Sequence, residues 1–122
     1  MESSDVVERV RAICLSLPEV VERDSHGSPA FFATKQFLML WDQGHHEHDF
    51  AHFWCAAPAG VQAHLIAREP GTFFRPPYVG GRGWIGVRLD GTVDLEEIAM
   101  LCEDAYRCVA TARQLALLDA LA

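Results

Sequence analysis

Between Pro18 and Gly91 the chain never runs far without a residue that turns it or stops an element. The breaks are Pro18, Gly27-Ser28-Pro29, Pro58-Ala59-Gly60, Pro70-Gly71, Pro76-Pro77, Gly80-Gly81 and Asp90-Gly91. Proline fixes φ and has no N–H to donate, and glycine opens the left-handed region, so such breaks join short elements through tight turns. Residues 19–26, 30–34, 37–42, 50–56, 72–75 and 84–89 are the β-prone runs of this region, with the polar connection 43–49 between the third and fourth. One short helix is expected after Gly60, with Val61, Leu65 and Arg68 on one side.

Helical signals flank this region. Asp5 and Glu8 form a D-x-x-E capping box, with Val6, Val10, Ile13, Cys14 and Leu17 at helical spacing behind it. Asp94 and Glu97 repeat the box ahead of a long stripe of Leu95, Ile98, Leu101, Cys102, Ala105 and Val109. Residues 112–121 read as a last, loosely packed helix. Short strands on tight turns, punctuated by amphipathic helices, predict one α+β domain over residues 1–122. It is expected to have two layers, an antiparallel sheet with helices packed on one face.

Half of the 122 residues are hydrophobic, enough for a core without metal or disulfide, yet no apolar run approaches a membrane span. Met1-Glu2-Ser3-Ser4-Asp5 lacks the basic-then-apolar order of a signal peptide. Cys14, Cys55, Cys102 and Cys108 form no C-x-x-C, and reduced core thiols are expected. These features predict a cytoplasmic protein with no membrane association.

The net charge of −7 opposes a general affinity for polyanions. Its distribution is uneven, because residues 68–88 hold Arg68, Arg75, Arg82 and Arg88 against Glu69 alone. Within that window Phe73-Phe74-Arg75-Pro76-Pro77-Tyr78-Val79-Gly80-Gly81-Arg82-Gly83-Trp84 interleaves arginine with aromatic rings, a composition suited to phosphate contact plus stacking. The glycines follow no phosphate-loop pattern and lead into a strand, so they are read as a sharp connection. Trp84 opens an alternating strand, and its ring is expected to be mostly buried.

Other chemistry is weakly signalled. His45, His46, His48 and His52 with Glu47 and Asp49 resemble a ligand set, but most fall in one polar connection without a metal-site framework. That connection is read as a solvated loop. No G-x-S-x-G occurs, and Ser25 and His26 would face opposite ways in a strand. Neither a metal nor a cofactor is expected, and catalysis is unsupported.

Several segments, in order, resemble the MmcQ/YjbR family. They are Cys14-Leu15-Ser16-Leu17-Pro18-Glu19, His26-Gly27-Ser28-Pro29-Ala30-Phe31, Lys35 with Phe37, 73–80, Gly83-Trp84-Ile85-Gly86-Val87 and Asp104-Ala105-Tyr106-Arg107. Thr34 and Ala105 depart from the glycine and serine often found at those places. The resemblance implies a small α+β protein likened to a double-wing DNA-binding shape. It leads to a noncatalytic binding domain in which Lys35, Arg75, Tyr78, Arg82 and Trp84 meet the ligand, with weak or sequence-limited DNA binding as the first reading. The alternative is a small-molecule-binding or accessory protein acting through a protein partner, with no nucleic-acid role. A metal-dependent enzyme built on the histidine loop ranks last.

Overall fold

The structure, a computed structural model, describes residues 3–45, 48–92 and 94–121. Helix α1 (Ser3–Leu15) leads into strands β1 (Val21–Ser25), β2 (Ser28–Ala33), β3 (Lys35–Trp41) and β4 (His52–Cys55). Helix α2 (Val61–Arg68), strands β5 (Phe73–Phe74) and β6 (Ile85–Arg88), and helices α3 (Leu95–Val109) and α4 (Ala112–Ala120) follow. The strands form one antiparallel sheet in the order β1-β2-β3-β4-β6-β5. The architecture is α+β, as the turn spacing predicts. No helix among the described residues is long and apolar enough to cross a membrane.

Turn chemistry sets the hairpins. Ser25 pairs with Ser28 across His26 and Gly27, whose φ values of 53° and 80° are those of a type I′ turn matched to strand twist. The reversal therefore falls one residue earlier than the Gly27-Ser28-Pro29 cluster suggests, and Ser28 and Pro29 belong to β2. Between β2 and β3, Phe31 pairs with Leu38 but Phe32 with Gln36, leaving Phe37 as an extra residue. Such a bulge advances the side-chain alternation by one. Phe37 and Leu38 both turn to the helices, where the Phe37 ring meets Tyr106 of α3 edge-on at 5.8 Å. Gln36, Met39 and Trp41 share the opposite face.

Across β4 and β6 the pairing continues that division. Leu38 opposes Cys55 and Cys55 opposes Ile85, all buried beneath the helices with Leu40, Phe53 and Val87. Helix α3 lies centrally on this layer, with α1 against it and α2 at the β5 edge. Cys14, Cys55 and Cys102 are buried free thiols of this core, whereas Cys108 is exposed.

The helix ends show which capping signals operate. Asp94 caps α3, accepting from the backbone N–H of Glu96 and Glu97 at 3.1 and 3.2 Å. The Glu97 carboxylate turns outward to Arg68 instead of completing the box. Asp5 lies within the first turn of α1, which starts at Ser3, so it acts through the helix dipole and not as the cap. The C-terminal helix is docked, contrary to the loose packing expected. Thr111 and Gln114 form a capping box, and Leu118 and Gln114 are buried. The Gln114 amide donates to Thr34 Oγ1 at 3.3 Å, and the Gln114 carbonyl accepts from the Tyr106 hydroxyl at 3.4 Å. Sequence periodicity missed this because the fixing groups are polar.

One close approach defines the β5 edge. The Phe74 ring lies over Gly86, so a Cβ there would stand 2.3 Å from a ring carbon. Gly86→Ala should lower stability by about 1–3 kcal/mol, the usual range for an overpacked core. Pairing it with Phe74→Leu should restore part of the loss. Urea unfolding of the two variants checks this; an unchanged midpoint for Gly86→Ala would show that the ring moves aside freely.

Candidate functional site

On the face turned away from the helices the strands carry a dense set of aromatic rings. Met39 opposes Trp54, Trp41 opposes His52, and both Trp54 and Phe74 oppose Gly86. The β3–β4 loop folds back onto this floor instead of standing in solvent. His45 and His48 exchange backbone hydrogen bonds of 2.7 and 2.8 Å, which closes the loop. The His45 ring then sits 4.7 Å from Trp41 and 5.3 Å from Trp54, and the His48 ring 4.5 Å from Phe74. His52 is fully buried in β4, and Asp49 is exposed. His46 and Glu47 lie outside the described residues. The solvated-loop reading is therefore corrected for His45 and His48, because an aromatic floor offers imidazoles more contact than water does. Among the described residues no group of three His, Cys, Asp or Glu side chains is arranged to hold a metal ion.

A second loop, between β5 and β6, forms the opposite wall. Gln62 of α2 pins it by donating to the carbonyls of Gly80 and Trp84 at 2.9 and 2.6 Å. Nothing in the sequence marked Gln62, since a glutamine on a short helix carries no pattern. Tyr78 stands 80% exposed with φ at 65°. A bulky residue in the left-handed region stores about 1 kcal/mol or more of backbone strain, and such positions cluster at binding sites.

Between the two loops lies a cleft of about 670 Å³, within the usual span for small-molecule sites. Gln36, Met39 and Trp54 form its floor, Trp41 and His45 one wall, and Tyr78 and Val79 the other. Ser25 and His26 of the β1–β2 hairpin stand at its rim.

Polar groups on this face of the sheet are incompletely paired. Trp41 Nε1, Trp54 Nε1, His48 Nδ1 and His52 Nε2 are buried with no hydrogen-bond partner among the described residues. A buried donor left unmade costs about 1–3 kcal/mol, so each such group needs a reason. His52 Nδ1 lies 2.7 Å from the Phe50 carbonyl, so this nitrogen carries the proton and Nε2 a bare lone pair. Burial, with His48, His45 and Arg88 adding repulsion, lowers its pKa to about 4.

The residues singled out from sequence are dispersed around this cleft. Tyr78 lines it. Arg75 and Arg82 flank the turn at Gly80–Arg82, the Arg75 stem packing over Gly80. Trp84 is 5% exposed, as the alternation predicts, and the Arg82 guanidinium covers its ring at 5.2 Å. That ring face is already occupied by the protein's own cation. Lys35 is exposed at the start of β3, two strands from β6. Trp41 and Trp54 were missed: they fall in unbroken apolar β-prone runs, and only the folded loops turn them into the lining of a cleft.

The basic window is also weaker than its residue count implies. Arg68 pairs with Glu97 and Glu69, and Arg88 with Asp90, leaving Arg75 and Arg82 without a carboxylate among the described residues. Glu69, Arg88, Asp90 and Glu97 of these pairs line a second cleft, of about 760 Å³, beside Thr72. Its carboxylates are engaged in ion pairs and in the Asp94 cap, so it reads as a structural seam.

His52 gives a pH test of this geometry. Its folded pKa lies below the ordinary value of 6.5, so its contribution is full above that pH and is lost as pH falls toward about 4. The wild type should lose about 3 kcal/mol more than His52→Leu between about pH 7 and about pH 4. Urea unfolding across that range reads the difference. Parallel stability curves would mean that His52 is not held neutral.

Comparison with known proteins follows from this architecture. A family model described as YjbR matches residues 15–108. The crystal structure of a Deinococcus radiodurans protein with a DUF419 domain superposes with a TM-score of 0.73 at 19% identity, over 93% of this chain and 87% of that one. At that identity the likeness shows the fold alone. No protein with a curated description matches. The family match spans most of the chain, from the end of α1 to the end of α3, and on that ground the chain belongs to the YjbR family.

Proposed function

We propose that this domain is a noncatalytic binding module that takes a small, flat ligand in the cleft on the open face of its sheet. The observation that carries the reading is the cleft itself, about 670 Å³, walled by Trp41, Trp54, Met39 and Tyr78 with Ser25, Gln36 and His45 as its polar groups. Aromatic walls with a few polar groups are what small-molecule sites present. Binding in such a site asks for no metal or cofactor.

DNA binding is the second reading, and Arg75 with Arg82 supports it. Two cations without a carboxylate among the described residues, beside an exposed Tyr78, suit a phosphate and a stacked base. Two phosphate contacts give a salt slope of only about −2, too shallow for tight binding by a chain of net charge −7.

NMR titration of ¹⁵N-labelled protein separates these readings. Flat aromatic fragments should move the Trp41 and Trp54 indole resonances, while short DNA at about 50 mM salt should leave them in place. DNA that binds at about 50 mM, weakens at about 200 mM and loses affinity in Arg75→Ala/Arg82→Ala would instead favour the nucleic-acid role. Fragments that leave both indoles unmoved would end the small-ligand reading.

A further inference from the structure

We infer that Gln36 reads the edge of the ligand, and that the cleft prefers a flat ring carrying a cyclic amide, with N–H and C=O side by side. The inference rests on the small-ligand reading above and adds the chemistry of the ligand's edge. Its basis is the placement of one side chain. Gln36 lies on the cleft floor with Met39 and Trp54. The extra residue at Phe37 puts it there, since Phe31 pairs with Leu38 but Phe32 with Gln36. Gln36 is partly exposed, and its carboxamide makes no hydrogen bond to another described residue.

A carboxamide differs from the other polar groups of the lining. It holds a donor and an acceptor side by side in one plane. The hydroxyls of Ser25 and Tyr78 rotate to suit a lone donor or a lone acceptor, so they impose no pattern. A ring edge with adjacent N–H and C=O meets both functions of Gln36 at once, the arrangement by which glutamine reads a base edge. An edge with acceptors alone leaves the Gln36 carbonyl facing a lone pair. Met39 and Trp54 make that mismatch costly, because their apolar surface keeps water from the unmet group. No Asp, Glu, Lys or Arg stands in the described lining to engage the amide in the ligand's place.

The test keeps the ring and changes one group of its edge. 2-Quinolone carries the cyclic amide, and coumarin replaces its N–H with a ring oxygen at nearly the same shape. Each is titrated into the full ¹⁵N-labelled chain, in which the Gln36 side-chain NH₂ signals are those absent from Gln36→Leu. 2-Quinolone should shift these signals and bind about tenfold tighter than coumarin. In Gln36→Leu the two compounds should bind within about twofold of each other, because the group that tells them apart is gone. Equal affinity for the wild type, with the Trp41 and Trp54 indole signals still shifting, overturns the role of Gln36 and leaves the cleft reading intact. A preference for 2-quinolone that persists in Gln36→Leu also overturns that role. Absence of any shift at the indoles and at Gln36 with both compounds overturns both readings. The ranking on wild-type protein stands whether or not the variant folds.

Discussion

The extra residue at Phe37 is the constraint on which the rest of the structure depends. By advancing the alternation of β3 one step, it sends Phe37 and Leu38 together to the helix layer and Gln36, Met39 and Trp41 to the other face. The antiparallel pairing carries that choice across β4, β6 and β5. An aliphatic and phenylalanine-rich face meets α1 and α3, and a face of Trp41, Trp54, His52 and Phe74 is left without a helix over it. Without the bulge, Gln36 and Phe37 would exchange sides, burying an amide under α3 where Tyr106 now packs.

Two loops do on the open face what helices do on the other. The β3–β4 loop brings imidazoles onto the indoles, and the β5–β6 loop is tied down by Gln62. Because neither loop offers acceptors to the buried N–H groups, the cover is chemically incomplete among the described residues. The strained backbone of Tyr78 belongs to this same face. Strain and unmade hydrogen bonds both reduce stability, and they gather on the face that carries the aromatic-walled cleft.

Much of the fold was legible in the sequence because its signals are local. The Asp94 cap, the stop at Pro18 and the alternation from Trp84 to Leu89 each act within a few residues. What escaped was set by long-range pairing. The charge of residues 68–88 looks basic in sequence, yet Glu97 and Asp90 come from outside the window to pair two of its arginines. Histidines in a polar run looked solvated until an aromatic floor lay beneath them. Trp41 and Trp54 sit in unbroken apolar runs that give no sign of which face each takes; that they line a cleft depends on how two distant loops close.

The claim that most needs direct measurement is that the Trp41 and Trp54 indole N–H groups are unbonded in the free protein. The chain contains three tryptophans, so Trp84→Phe leaves only these two indoles to report. Ultraviolet resonance Raman spectroscopy of that variant reads the hydrogen-bond state of the indole N–H from its vibrational frequency. The account predicts the frequency of an unbonded indole for both rings. The frequency of a hydrogen-bonded indole in the free protein would contradict it, because the donors would then already be satisfied without a ligand.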